Sequence, residues 1–153
     1  MTRAQRVSQA AGFTLVELLV TMAIMGMVSS VTAVSMIREL PRYRLTNAAS
    51  QLAWTFRGLR MRAISQHHAV TVTVTTPHSY TVWTDRNDDG VSNSGEVQTI
   101  DFHGAYPGVQ LASTANPTFN PTGTVTNLPT LTLTNPSGAK TLTVTLLGEV
   151  TIQ

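Results

Sequence analysis

The rhythm of apolar and polar positions changes twice along the chain. Residues 13–37 are almost continuously apolar and carry one charge, Glu17. As a helix rising about 1.5 Å per residue, that run reaches about 37 Å, enough for the hydrocarbon core of a bilayer. Next, Leu45, Ala48, Ala49, Leu52, Phe56, Leu59 and Ala63 recur at steps of three and four, one face of an amphipathic helix. Arg38, Arg42, Arg57, Arg60 and Arg62 fall mainly off that face. The pattern predicts one long helix, apolar over 13–37 and amphipathic over 38–68. A kink is expected near Leu40-Pro41, because proline lacks a backbone donor and disfavours helix at the preceding residue.

After His67-His68 the period becomes two. Val70, Val72 and Val74 alternate with Thr71, Thr73 and Thr75, which reads as a half-buried strand. Further strands are expected at 80–83, 97–102, 109–112, 131–134, 141–147 and 150–152. Turn formers separate them, among them Thr76-Pro77-His78, Tyr106-Pro107-Gly108, Asn116-Pro117 and Asn135-Pro136-Ser137-Gly138. A sheet with one apolar face needs cover, and the Leu52, Phe56 and Leu59 stripe supplies it. Burying each of those side chains is worth about 1.5–3 kcal/mol. The expected class is α+β: a long N-terminal helix packed on an antiparallel β-sheet domain over 69–153. A chain of 153 residues has room for one modest domain beyond the helix.

Charge refines this picture. The formal net charge is +2, but Arg3 and Arg6 precede Gly12, so the chain beyond Gly12 is formally neutral. Its basicity therefore makes no case for nucleic acid. Cysteine is absent, which excludes disulfides and thiolate metal sites. Arg3 and Arg6 before the apolar run predict a cytoplasmic N-terminus, with the remainder outside. In an ordinary secretory signal the apolar stretch leaves with the signal. A cut after Gly12 would instead keep it on the mature chain. An uncleaved signal anchor is the plain alternative, and it gives no reason for Glu17. An acid inside an apolar span is costly and marks a functional position.

Gly12-Phe13-Thr14-Leu15-Val16-Glu17, after a short basic stretch and before an apolar run, resembles the processing signal of type IV prepilins and type II secretion pseudopilins. Phe119-Asn120-Pro121-Thr122-Gly123, then Leu131-Thr132-Leu133, then the alternating residues from Thr143 to Val150, resemble the minor-subunit family of pseudopilin H, FimT and FimU. The resemblance implies a structural subunit rather than an enzyme. It implies a leader over 1–12, cut between Gly12 and Phe13 by a prepilin peptidase that also N-methylates Phe13. Glycine suits such a cut because its missing side chain lets a peptidase approach the backbone. The implied location is the bacterial inner membrane, single-pass, with assembly into a pilus or pseudopilus beside other pilin-type subunits. Glu17 would pair with the Phe13 amine of a neighbouring subunit, a strong attraction in a low dielectric. Snorkelling of Glu17 to the membrane edge is the alternative. So is a pilus-tip module for DNA uptake or surface adhesion.

Residues 85–96 carry a second motif. Asp85, Asn87 and Asp89 take the first, third and fifth positions of a calcium loop, Gly90 the sixth, Val91 the seventh and Glu96 the twelfth. Hard oxygen donors at that spacing suit calcium, with Val91 lending its carbonyl and Glu96 two oxygens. No cofactor is required by the rest of the chain. Strand flanks and Ser92 at the eighth position depart from the helical version, and a solvated turn is the other reading. DNA contact would use Arg38, Arg42, Arg44, Arg57, Arg60 and Arg62, since beyond Gln66 acids outnumber bases. The DNA-binding relatives carry a basic motif near the C-terminus, and residues 147–153 here hold no arginine or lysine. The helical arginines are expected to face neighbouring subunits or lipid head groups. His67, His68, His78 and His103 read as surface residues, and Trp54, Trp83 and Tyr80 as core or rim aromatics.

Overall fold

The structure, a computed structural model, describes residues 12–153, leaving aside the side chains of 31–35. Apart from Gly12, the expected leader lies outside the described residues. The chain divides into two units, Met1–Arg38 and Glu39–Gln153. One helix, α1 (Leu15–Gln66), begins in the first unit and ends in the second. Thr14 starts it by accepting the Glu17 amide on Oγ1 at 3.2 Å, an N-cap that satisfies one of the helix's orphan donors. α1 continues through Pro41. It stops at Gln66 because His67 turns to φ 57°, the left-handed cap conformation.

Nine strands follow: β1 (Val70–Thr76), β2 (Ser79–Thr84), β3 (Val97–Asp101), β4 (Gln110–Ser113), β5 (Thr118–Phe119), β6 (Val125–Thr126), β7 (Thr130–Asn135), β8 (Gly138–Val144) and β9 (Val150–Ile152). They form two antiparallel sheets, in the orders β3-β2-β1-β5-β6 and β4-β7-β8-β9. The class is α+β, as the periodicities imply. The short strands β5 and β6 were not expected. β8 also sits earlier than the alternation suggested: pairing Asn135 with Gly138 sets its start, and Leu146 and Leu147 lie exposed beyond it.

All seven residues of the predicted helical stripe are buried, and Ala53 joins them. They share one core with Val70, Val72, Tyr80, Val82, Phe119, Val125, Leu131, Leu133 and Leu142, among others. Phe56 meets Phe119 edge to face, with ring centroids 5.8 Å apart. Every core residue lies between Leu45 and Val150, so the second unit holds its whole core. Trp54 was expected at the core or rim, yet it is 66% exposed, because it projects off the buried stripe. The Arg57 guanidinium lies 5.0 Å from its ring centre.

The arginines depart from expectation most clearly. Arg44, Arg57 and Arg60 each donate to a main-chain carbonyl of the β domain. Arg57 donates to the Val150 carbonyl at 3.1 Å and Arg60 to that of Gly123 at 2.9 Å. Arg44 reaches the Pro107 carbonyl at 3.5 Å. Asn135 adds a bond in the other direction, donating to the Pro41 carbonyl at 2.6 Å. Glycine is required where Arg60 crosses: Gly148 has φ +73°, and a Cβ there would lie 2.5 Å from Arg60 Cδ.

Two outcomes are expected in chemical denaturation. Phe56→Ala removes the aromatic centre of the core and should cost about 3–5 kcal/mol. Gly148→Ala meets an unfavourable φ and pushes Arg60 off Gly123, for about 1–3 kcal/mol. A Gly148→Ala protein as stable as wild type would show that the Arg60 crossing is easily rearranged.

Candidate functional site

The first candidate lies at the start of α1. Phe13 is 80% exposed, and Glu17 is exposed one helical turn further on. Among the described residues, its chain neighbours aside, none comes within 4 Å of where a Cβ of Gly12 would stand. Sequence reading missed Thr14 here. The Thr14–Glu17 spacing is that of a capping box, so Glu17 lies in the first turn, where the helix dipole favours negative charge. Every described side chain from Gly12 to Leu40 is exposed, including Leu15, Leu18, Met22, Ile24 and Met25. Among the described residues no helix is long and apolar enough to cross a membrane. The expected span over 13–37 includes residues 31–35, whose side chains fall outside the description.

The second candidate is the loop joining β2 to β3. Its mouth is held shut by backbone bonds, Thr84 N to Glu96 O and Asp85 N to Ala69 O, both 3.0 Å. Inside, each of three carboxylates takes up backbone amides. Asp85 Oδ2 accepts from Gly90 N at 3.0 Å, which needs the positive φ of 70° that Gly90 adopts. Asp89 Oδ1 accepts from Val91 N at 2.7 Å. Glu96 accepts from Arg86 N at 3.0 Å on one oxygen, and from Asn93 N and Trp83 Nε1, both 3.3 Å, on the other. Asn93 was not foreseen. Its Nδ2 bridges Asp89 Oδ2 at 3.0 Å and the Val91 carbonyl at 3.2 Å, while Asn87 Nδ2 also reaches Asp89 Oδ2, at 2.8 Å. Asp88 turns away, to His68 Nδ1 at 3.3 Å.

The five residues of the motif thus share one closed loop, with amide hydrogens against their oxygens. Among the described residues no three His, Asp or Glu side chains form a metal-holding group. Asp85 is the exception in solvation. The residue is only 8% exposed, and its Oδ1 accepts no hydrogen bond from any described group. An unsatisfied buried polar atom costs about 1–3 kcal/mol, and more when it is charged.

Hydrogen bonds hold the Asp89 carboxyl below its ordinary range, first that of the Val91 amide and then that of the Asn93 side chain. For Glu96, partial desolvation is the largest influence and acts upward. The amides of Arg86 and Asn93 and the Trp83 indole outweigh it, and the net shift is downward. Tyr80 is raised, chiefly by burial. Elsewhere, His78 and His103 stack edge to face at 4.9 Å, His103 exposed and His78 half-buried.

Residues 48–148 match the family described as "Type II transport protein GspH", and residues 7–33 match the "Prokaryotic N-terminal methylation motif". The chain belongs to the GspH family. No curated protein matches the sequence. Among solved structures, the fold is similar to the type IV minor pilin FimU of Pseudomonas aeruginosa, with TM-score 0.55 and 18% identity over 73% of this chain and 90% of that one. It is equally similar to the minor pseudopilin EpsH from the type 2 secretion system of Vibrio cholerae, with TM-score 0.56 and 16% identity over 72% of this chain and 96% of that one. A second EpsH structure gives TM-score 0.55 at 13% identity, covering 71% of this chain and 92% of that one. At these identities the likeness concerns the fold.

The loop carboxylates set an expected pH dependence. Both are lowered in the folded state, so their stabilisation is complete above their ordinary values of 3.8 and 4.5 and is lost as pH falls through the folded values. Melting temperature should hold level above about pH 5 and decline below it. Asp89→Asn should flatten part of that decline. Solvent screening keeps the effect small, so low salt gives the clearest reading.

Proposed function

We propose that this chain is a structural minor subunit of a type IV filament system, made as a prepilin and assembled through its N-terminal helix. The reading rests on one observation: the methylation motif runs into a capped helix whose described apolar side chains up to Leu40 are exposed. A bare apolar helix in water is unstable, and lipid or neighbouring helices would cover it. In this reading the inner membrane holds residues 13–37 before assembly, with the N-terminus cytoplasmic and the β domain outside. Prepilin peptidase cuts between Gly12 and Phe13 and methylates the new amine of Phe13. The chain is the substrate of that chemistry and is not itself an enzyme.

Glu17 would then accept the Phe13 amine of the adjoining subunit. The cut creates a cation four residues from the one acid of the apolar run, and each satisfies the other's desolvation. The Thr14 cap supports this role, since it starts the helix at Leu15 and leaves Glu17 exposed in the first turn. The engagement of Arg44, Arg57 and Arg60 by backbone carbonyls favours a structural subunit over a DNA-binding tip module. A phosphate-binding face needs its cations free.

A clean deletion, complemented with wild type, should be scored side by side for surface pili and for secreted protein. Loss of pili alone makes the chain a minor pilin; loss of secretion alone makes it a pseudopilin. Glu17→Ala should reproduce the deletion while the β domain keeps its melting temperature. Normal incorporation of Glu17→Ala into filaments would overturn the assembly role of Glu17.

A further inference from the structure

We propose that the β2–β3 loop is a calcium site, with Asp85, Asn87, Asp89, the Val91 carbonyl and Glu96 as its ligands. The inference is independent of how the subunit assembles. Two observations carry it. The spacing of oxygen donors is that of a twelve-residue calcium loop, with Gly90 in the left-handed conformation its sixth position demands. Separately, the first ligand is already buried and half unsatisfied. Asp85 Oδ2 is tied to Gly90 N across the loop, which directs the carboxylate into the loop interior, and Oδ1 there has no donor.

Among the described residues no cation serves that oxygen. The ion pair among the described residues nearest in sequence joins His68 to Asp88, on a side chain turned out of the ligand set. Arg86 presents its backbone amide to Glu96 and exposes its side chain. The loop carries Asp85, Asp88, Asp89 and Glu96 against Arg86 alone, so its field attracts a cation.

Two asparagine amides of the loop now present donors where a cation would need oxygens. The Nδ2 groups of Asn87 and Asn93 now stand against Asp89 Oδ2, and that of Asn93 also against the Val91 carbonyl. Turning either amide over presents a carbonyl oxygen instead of a donor. Glu96 needs only to exchange its amide bonds for the ion. All donors are hard oxygens from a pliable loop, which suits calcium over magnesium and over metals that prefer nitrogen or sulfur. Binding would fasten the end of β2 to the start of β3, an edge strand of the first sheet. A surface loop of this kind should bind at about 10⁻⁴–10⁻³ M, the range of extracellular modules.

The test uses the full chain in a non-ionic detergent, stripped with a chelator and titrated with calcium chloride by calorimetry. Terbium chloride, excited through tryptophan, gives a second signal, because the Trp83 indole bonds Glu96. Saturable calcium heat, and terbium emission displaced by calcium, are the expected results. Asp85→Asn should weaken binding on the order of tenfold or more. Without calcium it should melt no lower than wild type, since it removes an unpartnered buried charge. Asp89→Asn, at an exposed position, should weaken binding without any folding defect. Trp83→Phe should keep the calcium heat and lose the terbium emission. No saturable signal at millimolar calcium, or binding unchanged in both Asp85→Asn and Asp89→Asn, overturns the site.

Discussion

The second unit depends on the burial of one helical stripe, Leu45 to Ala63, within the core it shares with the strands. An isolated sheet with a single apolar face is marginal in water, and several strands here are only two to four residues long. The helix supplies the cover that lets such short strands persist. The stripe mixes small and large residues: Ala48, Ala49, Ala53 and Ala63 lie among the bulkier Leu52, Phe56 and Leu59. The alanines let the helix backbone come close, and Phe56 fills the space that remains against Phe119. The same helix turns from this buried regime to an apolar one before Leu40 in which every described side chain is exposed, so one element joins two different solvation problems.

That stripe was legible because a period of 3.6 residues leaves a strong trace over nineteen positions, and β1 because valine and threonine alternate cleanly. The features that escaped share a physical reason. β5 and β6 are two residues each, too short to show any period, and they exist only through pairing with β1 and with each other. Gly138, Ala139 and Lys140 have little strand preference of their own and become strand by pairing across β7. Trp54 looks like core by its chemistry, but it follows Ala53 by one residue, and a 100° rotation takes it off the buried face.

At the candidate sites the divide is the same. The ligand spacing in residues 85–96 can be counted along the chain. The burial of Asp85 cannot, since it arises where the loop mouth closes on Ala69. Asn93 holds no ligand position of the motif, and only the fold sets its amide between Asp89 and Val91. The arginine partners were equally hidden. Sequence displays the charge of Arg57 and Arg60, whereas their acceptors lie 93 and 63 residues away and are peptide oxygens that any residue supplies.

That anonymity has a consequence for how the domain can change over time. A clamp that grips main-chain oxygens asks little of the side chains in the segments it holds, beyond the room that Gly123 and Gly148 leave. The stretches around Pro107, Gly123 and Val150 can be rewritten at their outward positions while Arg44, Arg57 and Arg60 keep them in place, provided the backbone path survives. The helix thus serves as a fixed loom on which the outer face can be rewoven. Subunits of one architecture could then carry very different exteriors, which fits a fold held in common with FimU and EpsH at less than one residue in five.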